Sequence, residues 1–205
     1  MPKSKSSKQW LQEHHQDAYV LKARAQGYRS RAVFKLEQIQ RKDGLFKPGQ
    51  SVLDLGAAPG GWSEYAMQAV GDRGRVIALD ILPLEPIAGV ESIQGDFTEQ
   101  QTLDELKAVT GEHGFDLVLS DMAPNLSGMH SVDQPKSIYL AELAFETARY
   151  LLVPNGVFVV KLFQGEGFED LVSSFRASFK SVKFRKPDAS RSRSSEIYAV
   201  CSGLK

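Results

Sequence analysis

Apolar residues along the chain follow two alternating rhythms. Short unbroken apolar runs are separated by longer stretches in which apolar positions recur every three or four residues. The first rhythm is that of buried strands and the second that of amphipathic helices. Strands are predicted at 51–55 (S-V-L-D-L), 75–80 (R-V-I-A-L-D), 90–95, 115–121 (F-D-L-V-L-S-D), 155–163 (N-G-V-F-V-V-K-L-F), 179–185 and 196–201 (E-I-Y-A-V-C). Helices are predicted at 62–70, 101–110, 135–152 and 169–178. Two more helical stretches fall within 13–43, broken near Gly27. The second of these, 30–40, takes Ser30 as its N-cap, turns Val33, Phe34, Leu36 and Ile39 to the core, and sets Lys35 beside that face. The alternation predicts an α/β fold, a mostly parallel seven-stranded sheet with helices on both faces. No repeat or composition break divides the chain, so residues 1–205 are expected to form a single domain. Within it, 1–12 reads as a flexible basic arm and 187–195 as a polar, mobile loop.

One stretch breaks the rhythm with glycine. Asp54 to Gly61 reads D-L-G-A-A-P-G-G and lies between the first strand and the helix after it. Glycine in such a turn lets a ligand press against bare backbone, and the helix start offers free N–H groups. The spacing departs from both common phosphate-binding patterns. It is G-x-x-x-G-G rather than G-x-G-x-x-G, and no Lys follows as in a P-loop. An acid two residues before the first glycine, with no lysine to grip a phosphate, suits S-adenosylmethionine, which carries no phosphate. The bland alternative is a structural turn.

Composition narrows the class. The 205 residues suit one full core, with 42% apolar and 24% charged residues. No apolar run approaches the roughly 20 residues of a membrane helix. The basic start M-P-K-S-K-S-S-K has no apolar segment behind it and is not a secretory signal. The one cysteine, Cys201, fits a reducing, cytoplasmic setting, and with His14, His15, His113 and His130 scattered no metal site is expected. The formal net charge of zero conceals a strong division. Residues 1–50 hold 11 Lys/Arg and 4 Asp/Glu (+7), residues 176–205 hold 8 and 2 (+6), and residues 51–175 hold 6 and 19 (−13). Basic ends around an acidic centre with a cofactor turn point to a polyanionic substrate such as nucleic acid. Arg24, Arg29, Arg31, Arg41 and Lys42 surround Lys35 as a basic surface, and Arg191 and Arg193 lie in the late polar loop.

Ligands of open α/β sheets bind at the carboxyl ends of the strands. Asp54, Asp80, Asp96-Phe97 and Asp121 stand at the ends of the first four strands. Asp80 comes about 20 residues after the glycine turn, where an acid can accept ribose hydroxyls. Asp96 suits an adenine amino group, with the Phe97 ring against the base. Lys161 interrupts an otherwise buried strand, where an unpaired ammonium is costly. It is either paired structurally or held for function. Glu196, at the start of the last strand, is a candidate partner, or else a surface acid beside Arg191 and Arg193.

These segments together resemble the FtsJ/RrmJ ribosomal RNA 2′-O-ribose methyltransferases over nearly the whole chain. The resemblance rests on G-Y-R-S-R-A-V-F-K-L (27–36), D-L-G-A-A-P-G-G-W-S (54–63), G-D-F (95–97), L-S-D-M-A-P-N-L-S-G (119–128), V-V-K-L-F-Q-G (159–165) and R-x-x-S-S-E-I-Y (191–198). It implies a Rossmann-like fold whose last strand runs antiparallel, which would bring Glu196 to the sheet edge holding Asp121 and Lys161. The family's Lys-Asp-Lys-Glu tetrad falls on Lys35, Asp121, Lys161 and Glu196, and its S-adenosylmethionine contacts on Gly60, Trp62, Asp80, Asp96 and Asp121, with Asp54 and Phe97 close by. It further implies a uridine of the large-subunit (23S) ribosomal RNA as substrate, on the assembled 50S subunit, and an enzyme working as a cytoplasmic monomer. In that role Lys161 accepts or holds the proton of the ribose hydroxyl, and Lys35 positions the RNA. Two alternatives stay open at this point: a 2′-O-methyltransferase of transfer or other RNA, and a non-catalytic RNA-binding assembly factor.

Overall fold

The computed structural model describes residues 17–110, 114–125, 127–191 and 194–205. The predicted arm and Arg193 lie outside these. In chain order the helices are α1 (Ala18–Ala25), α2 (Val33–Asp43), α3 (Gly61–Val70), α4 (Gln100–Thr110), α5 (His130–Leu151) and α6 (Phe168–Ser178). The strands are β1 (Ser51–Leu55), β2 (Arg75–Asp80), β3 (Val90–Gln94), β4 (Phe115–Ser120), β5 (Leu152–Phe163), β6 (Phe179–Arg185) and β7 (Glu196–Leu204). They form one sheet in the order β3-β2-β1-β4-β5-β7-β6. Strands β1 to β5 pair in parallel, and β7 is antiparallel to both β5 and β6. The expected Rossmann-like sheet with its reversed last strand is thus present.

Side chains alternate across the sheet and split the core in two. On one face Leu53, Ile77, Val118, Phe158 and Ala199 meet α5 and α6. On the other Val52, Val76, Leu119, Val159 and Val200 meet α2 and α3 through Leu36, Ile39, Trp62 and Ala66. Asp54 follows Val52 by two residues, Lys161 follows Val159 by two, and Glu196 and Tyr198 precede Val200 by four and two. All four therefore belong to the α2–α3 face of their strands.

Four expected details change. Helix α2 begins at Val33, not Ser30: the Ser30 hydroxyl instead accepts from the Ala32 N–H (3.1 Å) in a turn before the helix. Helix α5 begins at His130 with Pro135 inside it. Its start is fixed by Asp133, whose carboxylate accepts from the Ser127 N–H (2.8 Å), the Ser127 hydroxyl (2.8 Å) and the Gly128 N–H (2.9 Å). Pro135 is the sixth residue of this helix, past the first turn, so the Ser131 carbonyl loses its usual N–H donor there. Strand β5 follows α5 with no connection and accommodates Pro154-Asn155-Gly156 through left-handed Asn155 (φ 66°) and a register shift against β4. Finally, Pro187, Ala189 and Ser190 of the polar loop are buried, not solvated. The Arg31 guanidinium donates to the Ala189 carbonyl, and the Ala189 N–H donates to Gln38 (3.3 Å).

Phe158 is fully buried, with the rings of Phe145, Phe175 and Phe179 centred 6.4, 6.0 and 6.4 Å away. Phe158→Ala is expected to lower the free energy of unfolding by about 3–5 kcal/mol, read from urea titration with an unchanged slope. A loss below about 1 kcal/mol would mean that this aromatic cluster is not the core of the α5–α6 face.

Candidate active site

The carboxyl ends of β1, β2 and β4 and the start of β7 meet α2 along one rim. Lys161 stands one strand over from β4, and its ammonium donates to the backbone carbonyl of Asp121 and lies 3.1 Å from Asp121 Oδ1. The Tyr198 hydroxyl donates to the same Oδ1 (2.5 Å). Tyr198 faces Lys161 in the β5–β7 register, and Glu196 faces Phe163. Lys35 reaches over from α2 to Glu196 Oε1 (2.9 Å) and places its ammonium 5.6 Å from the Tyr198 ring centroid. The four residues singled out in the sequence thus stand as two ion pairs, Lys161–Asp121 and Lys35–Glu196, joined by Tyr198.

Electrostatics keeps the two acids ionised and Tyr198 protonated. Burial pushes the Asp121 carboxyl up, but the neighbouring Lys161 and Lys35 ammoniums and the Tyr198 hydroxyl outweigh it and hold its pKa below the usual value. Burial likewise works against ionised Glu196, and Lys35 overcomes it. Tyr198 is held well above its ordinary value by burial and by the Asp121 and Glu196 charges, so it stays a hydrogen-bond donor.

The glycine turn lies beside this rim. Gly56 (φ 73°) and Gly60 (φ 100°) are both left-handed, and a Cβ on Gly56 would come within 2.2 Å of Met122 Cγ. A cleft of about 760 Å³ opens next to the turn, lined by Asp80, Asp96, Phe97, Met122, Asn125 and Tyr139 among others. A chamber of about 40 Å³ lies against it, lined by Asp54, Pro59, Gly61, Trp62 and Ser30. Gly56, Ala58 and Asp121 border both. Another cavity of about 530 Å³, lined by Gln50, Asp116 and Val153, opens at the amino ends of β1, β4 and β5 and lacks the rim residues.

Two buried carboxylates, Asp54 and Asp80, and the half-buried Asp121 stand around the turn. Asp80 accepts from the Ala58 and Leu82 N–H groups, each at 2.8 Å, and Asp54 accepts from the Ser63 hydroxyl (2.6 Å). Burial, with a smaller push from the Asp121 and Asp80 charges, raises Asp54 to about 7 against the Ser63 hydrogen bond. Such a set is poised for a cation.

The sequence profile of the FtsJ-like methyltransferase family matches residues 28–204. The chain belongs to the FtsJ-like methyltransferase family. Among solved structures this methyltransferase is similar to a Plasmodium falciparum protein described as a ribosomal RNA methyltransferase, at 27% identity and a TM-score of 0.74, over 86% of this chain and 98% of that one. A Clostridium thermocellum protein described as an rRNA methylase (21% identity, TM-score 0.55, 82% of this chain and 97% of that one) shares the fold. So does the mycinamycin-pathway methyltransferase MycE in complex with magnesium and SAH (16% identity, TM-score 0.53, 84% of this chain and 47% of that one).

The methyltransferase places its other sequence-selected residues unevenly. Trp62 packs in the chamber wall, its indole N–H donating to the Ala32 carbonyl (2.8 Å). Gly60 lines neither cleft nor chamber; its Cα lies under the β2–β3 loop, where a Cβ would come within 2.6 Å of Ile87. Asp96 accepts from the Thr98 N–H (2.9 Å) and borders the cleft with Phe97. Of the arginines selected for RNA, Arg29 donates to the Glu85 (3.1 Å) and Pro86 (2.7 Å) carbonyls, and Arg31 is bound to Asp17 and the Ala189 carbonyl. Arg191 lies 4.0 Å from the same Asp17, and Arg24 is exposed on α1. Sequence reading missed Tyr198 and Ser63. The period of two from Glu196 through Tyr198 to Val200 carried the signal for the first.

Asp54 makes stability depend on pH near neutrality. Its folded pKa is raised, so the contribution is complete below the ordinary carboxylate range and is lost as pH rises through about 7. Asp121 and Glu196 are shifted the other way, and their contributions change only in acid. From about pH 6 to about pH 8 the wild type should lose roughly 1–2 kcal/mol of unfolding free energy relative to Asp54→Asn. Parallel pH dependence in the two proteins, by urea titration, would contradict the buried neutral acid.

Proposed function

We propose that this methyltransferase carries a methyl group from S-adenosylmethionine to the 2′-hydroxyl of a uridine ribose in 23S ribosomal RNA, on the 50S subunit. The observation that carries the proposal is the Lys161 ammonium, 3.1 Å from Asp121, the acid that borders both the cleft and the glycine-lined chamber. A ribose hydroxyl placed there meets an amine. The Plasmodium falciparum relative described as a ribosomal RNA methyltransferase supports ribosomal RNA as the substrate class.

The residues present fit the cofactor. Buried Asp54 and Asp80, with half-buried Asp121, suit a molecule that bears cationic sulfur and ammonium groups, and the repulsion these acids exert on Asp54 is what such a guest would relieve. Asp80 would take the ribose hydroxyls, Asp96 and Phe97 the adenine, and Trp62 and Asp54 the chamber end. When bound, S-adenosylmethionine supplies an electrophilic methyl group. The protein's remaining task is placement of the acceptor oxygen, worth several orders of magnitude by proximity alone.

Lys161 does that placing. Two of its three donor positions are engaged with Asp121, which leaves one direction for a substrate oxygen. To take the hydroxyl proton as the oxygen is alkylated, the amine has first to lose its own, so that its lone pair occupies that third direction. Lys35, aligned by Glu196 and the Tyr198 ring, holds the ribose or its phosphate on the rim. The protein would act as a cytoplasmic monomer of one domain.

Lys161→Ala is expected to lower single-turnover transfer of labelled methyl to ribosomal particles by about 10²–10⁴-fold, with cofactor affinity by calorimetry unchanged. Turnover close to wild type would remove Lys161 from the chemistry. A parallel loss of cofactor affinity would assign it to cofactor binding instead.

A further inference from the structure

Arg29 and Arg31 are bound to the β2–β3 loop, Asp17 and the Ala189 carbonyl, which leaves them poorly placed to grip an RNA backbone. A better-placed set lies farther along α2. A groove of about 110 Å³ runs between the C-terminal half of α2 and the end of β6, lined by Gln38, Arg41, Lys42, Arg185, Lys186 and Asp188 among others. Arg185 is neutralised by Asp43, which takes two of its hydrogen bonds at 2.7 and 2.6 Å. Arg41, Lys42 and Lys186 remain against the single carboxylate of Asp188. All three are exposed. Arg41 holds Glu37 at 3.0 Å, but in an i,i+4 surface pair with the arginine side chain 74% exposed, a weak tie that a phosphate can replace.

The groove is continuous with the active-site rim. Lys35, Gln38 and Lys42 recur at three- and four-residue steps and so share one face of α2. Lys42 lies seven residues beyond Lys35, about 10 Å along the helix axis. On the opposite wall the Lys186 ammonium donates to the backbone carbonyls of Ser194 (2.7 Å) and Glu196 (2.5 Å). One cation of the groove therefore also holds the strand start whose carboxylate pairs with Lys35. A polyanionic chain whose ribose enters at Lys161 meets Lys35 first and this cationic groove next.

We infer that the RNA strand flanking the target nucleotide runs along this groove, with Arg41 and Lys42 on its phosphates and the charge of Lys186 on the facing wall. The inference rests on the RNA-methyltransferase reading above and adds the path that the substrate takes. The contacts are to backbone, so they do not depend on RNA sequence.

The test is the salt dependence of binding a fluorescein-labelled single-stranded RNA oligonucleotide, followed by anisotropy. Arg41→Gln with Lys42→Gln removes two exposed groove cations. Its log affinity against log salt should be shallower than wild type by roughly 1–1.5, with affinity about tenfold weaker at low salt. Lys107→Gln on α4, which pairs with Asp104 away from the rim, should match the wild type. Cofactor affinity should be unchanged in both variants. A double variant with the wild-type slope and affinity would overturn the groove while leaving the RNA reading intact. A wild type with no salt-dependent RNA binding would overturn both. Normal oligonucleotide binding with lost attachment to ribosomal particles would assign the surface to a protein contact and also overturn the inference.

Discussion

A charged amine inside a buried strand must have a counter-charge, and that constraint organises this molecule. Lys161 lies among Val159, Val160 and Leu162, all within 1% of full burial. An isolated ammonium there would cost several kcal/mol, so the neighbouring strand has to end in a carboxylate. Asp121 is that residue, directly beyond β4. Its charge in turn needs donors beyond the one amine. The Tyr198 hydroxyl supplies one, and can do so only because β7 runs antiparallel to β5 and sets Tyr198 opposite Lys161. Strand alternation then carries Glu196 to the same face two residues earlier, where α2 presents Lys35. Each member of the rim follows from the one before it by a pairing rule of sheets or of charges.

The same arrangement divides the site electrically. On the rim, two lysines balance two carboxylates, and the cations nearest it continue along α2 and β6. Around the glycine turn, Asp54 and Asp80 have no basic partner among the described residues, and the less solvated of them, Asp54, is pushed up to about 7. A polyanion is drawn to the first region and a small cationic molecule to the second. Asp121 belongs to both, which is where a reaction between the two kinds of guest has to occur. The near-zero total charge hides this division, which appears only when the chain is read by segment.

Much of this was legible in the sequence because it depends on local pattern. An ammonium in V-F-V-V-K-L-F and aspartates at four successive strand ends are visible without coordinates. What escaped depends on partners distant along the chain. Arg29 and Arg31 look free in sequence, but their carbonyl and carboxylate acceptors lie at Glu85, Pro86, Asp17 and Ala189. The loop 187–190 looks solvated because its residues are small and polar, yet Arg31 and Gln38 draw its backbone into the structure. Pro135 looks like a helix start because proline favours the first turn, and the Asp133 carboxylate moved that start to His130. Tyr198 was not singled out, since a buried tyrosine and a hydrogen-bond donor to an active-site acid have the same letter and spacing.

The central claim is that this rim is built around a sugar oxygen, and the most direct test identifies the atom that receives the methyl group. Ribosomal RNA labelled by the purified protein with methyl-tritiated S-adenosylmethionine would be hydrolysed in alkali, which cleaves only where a 2′-hydroxyl is free. The account predicts that the label remains in an alkali-resistant dinucleotide with a 2′-O-methylated first ribose. Label recovered in mononucleotides, on a base, would contradict it.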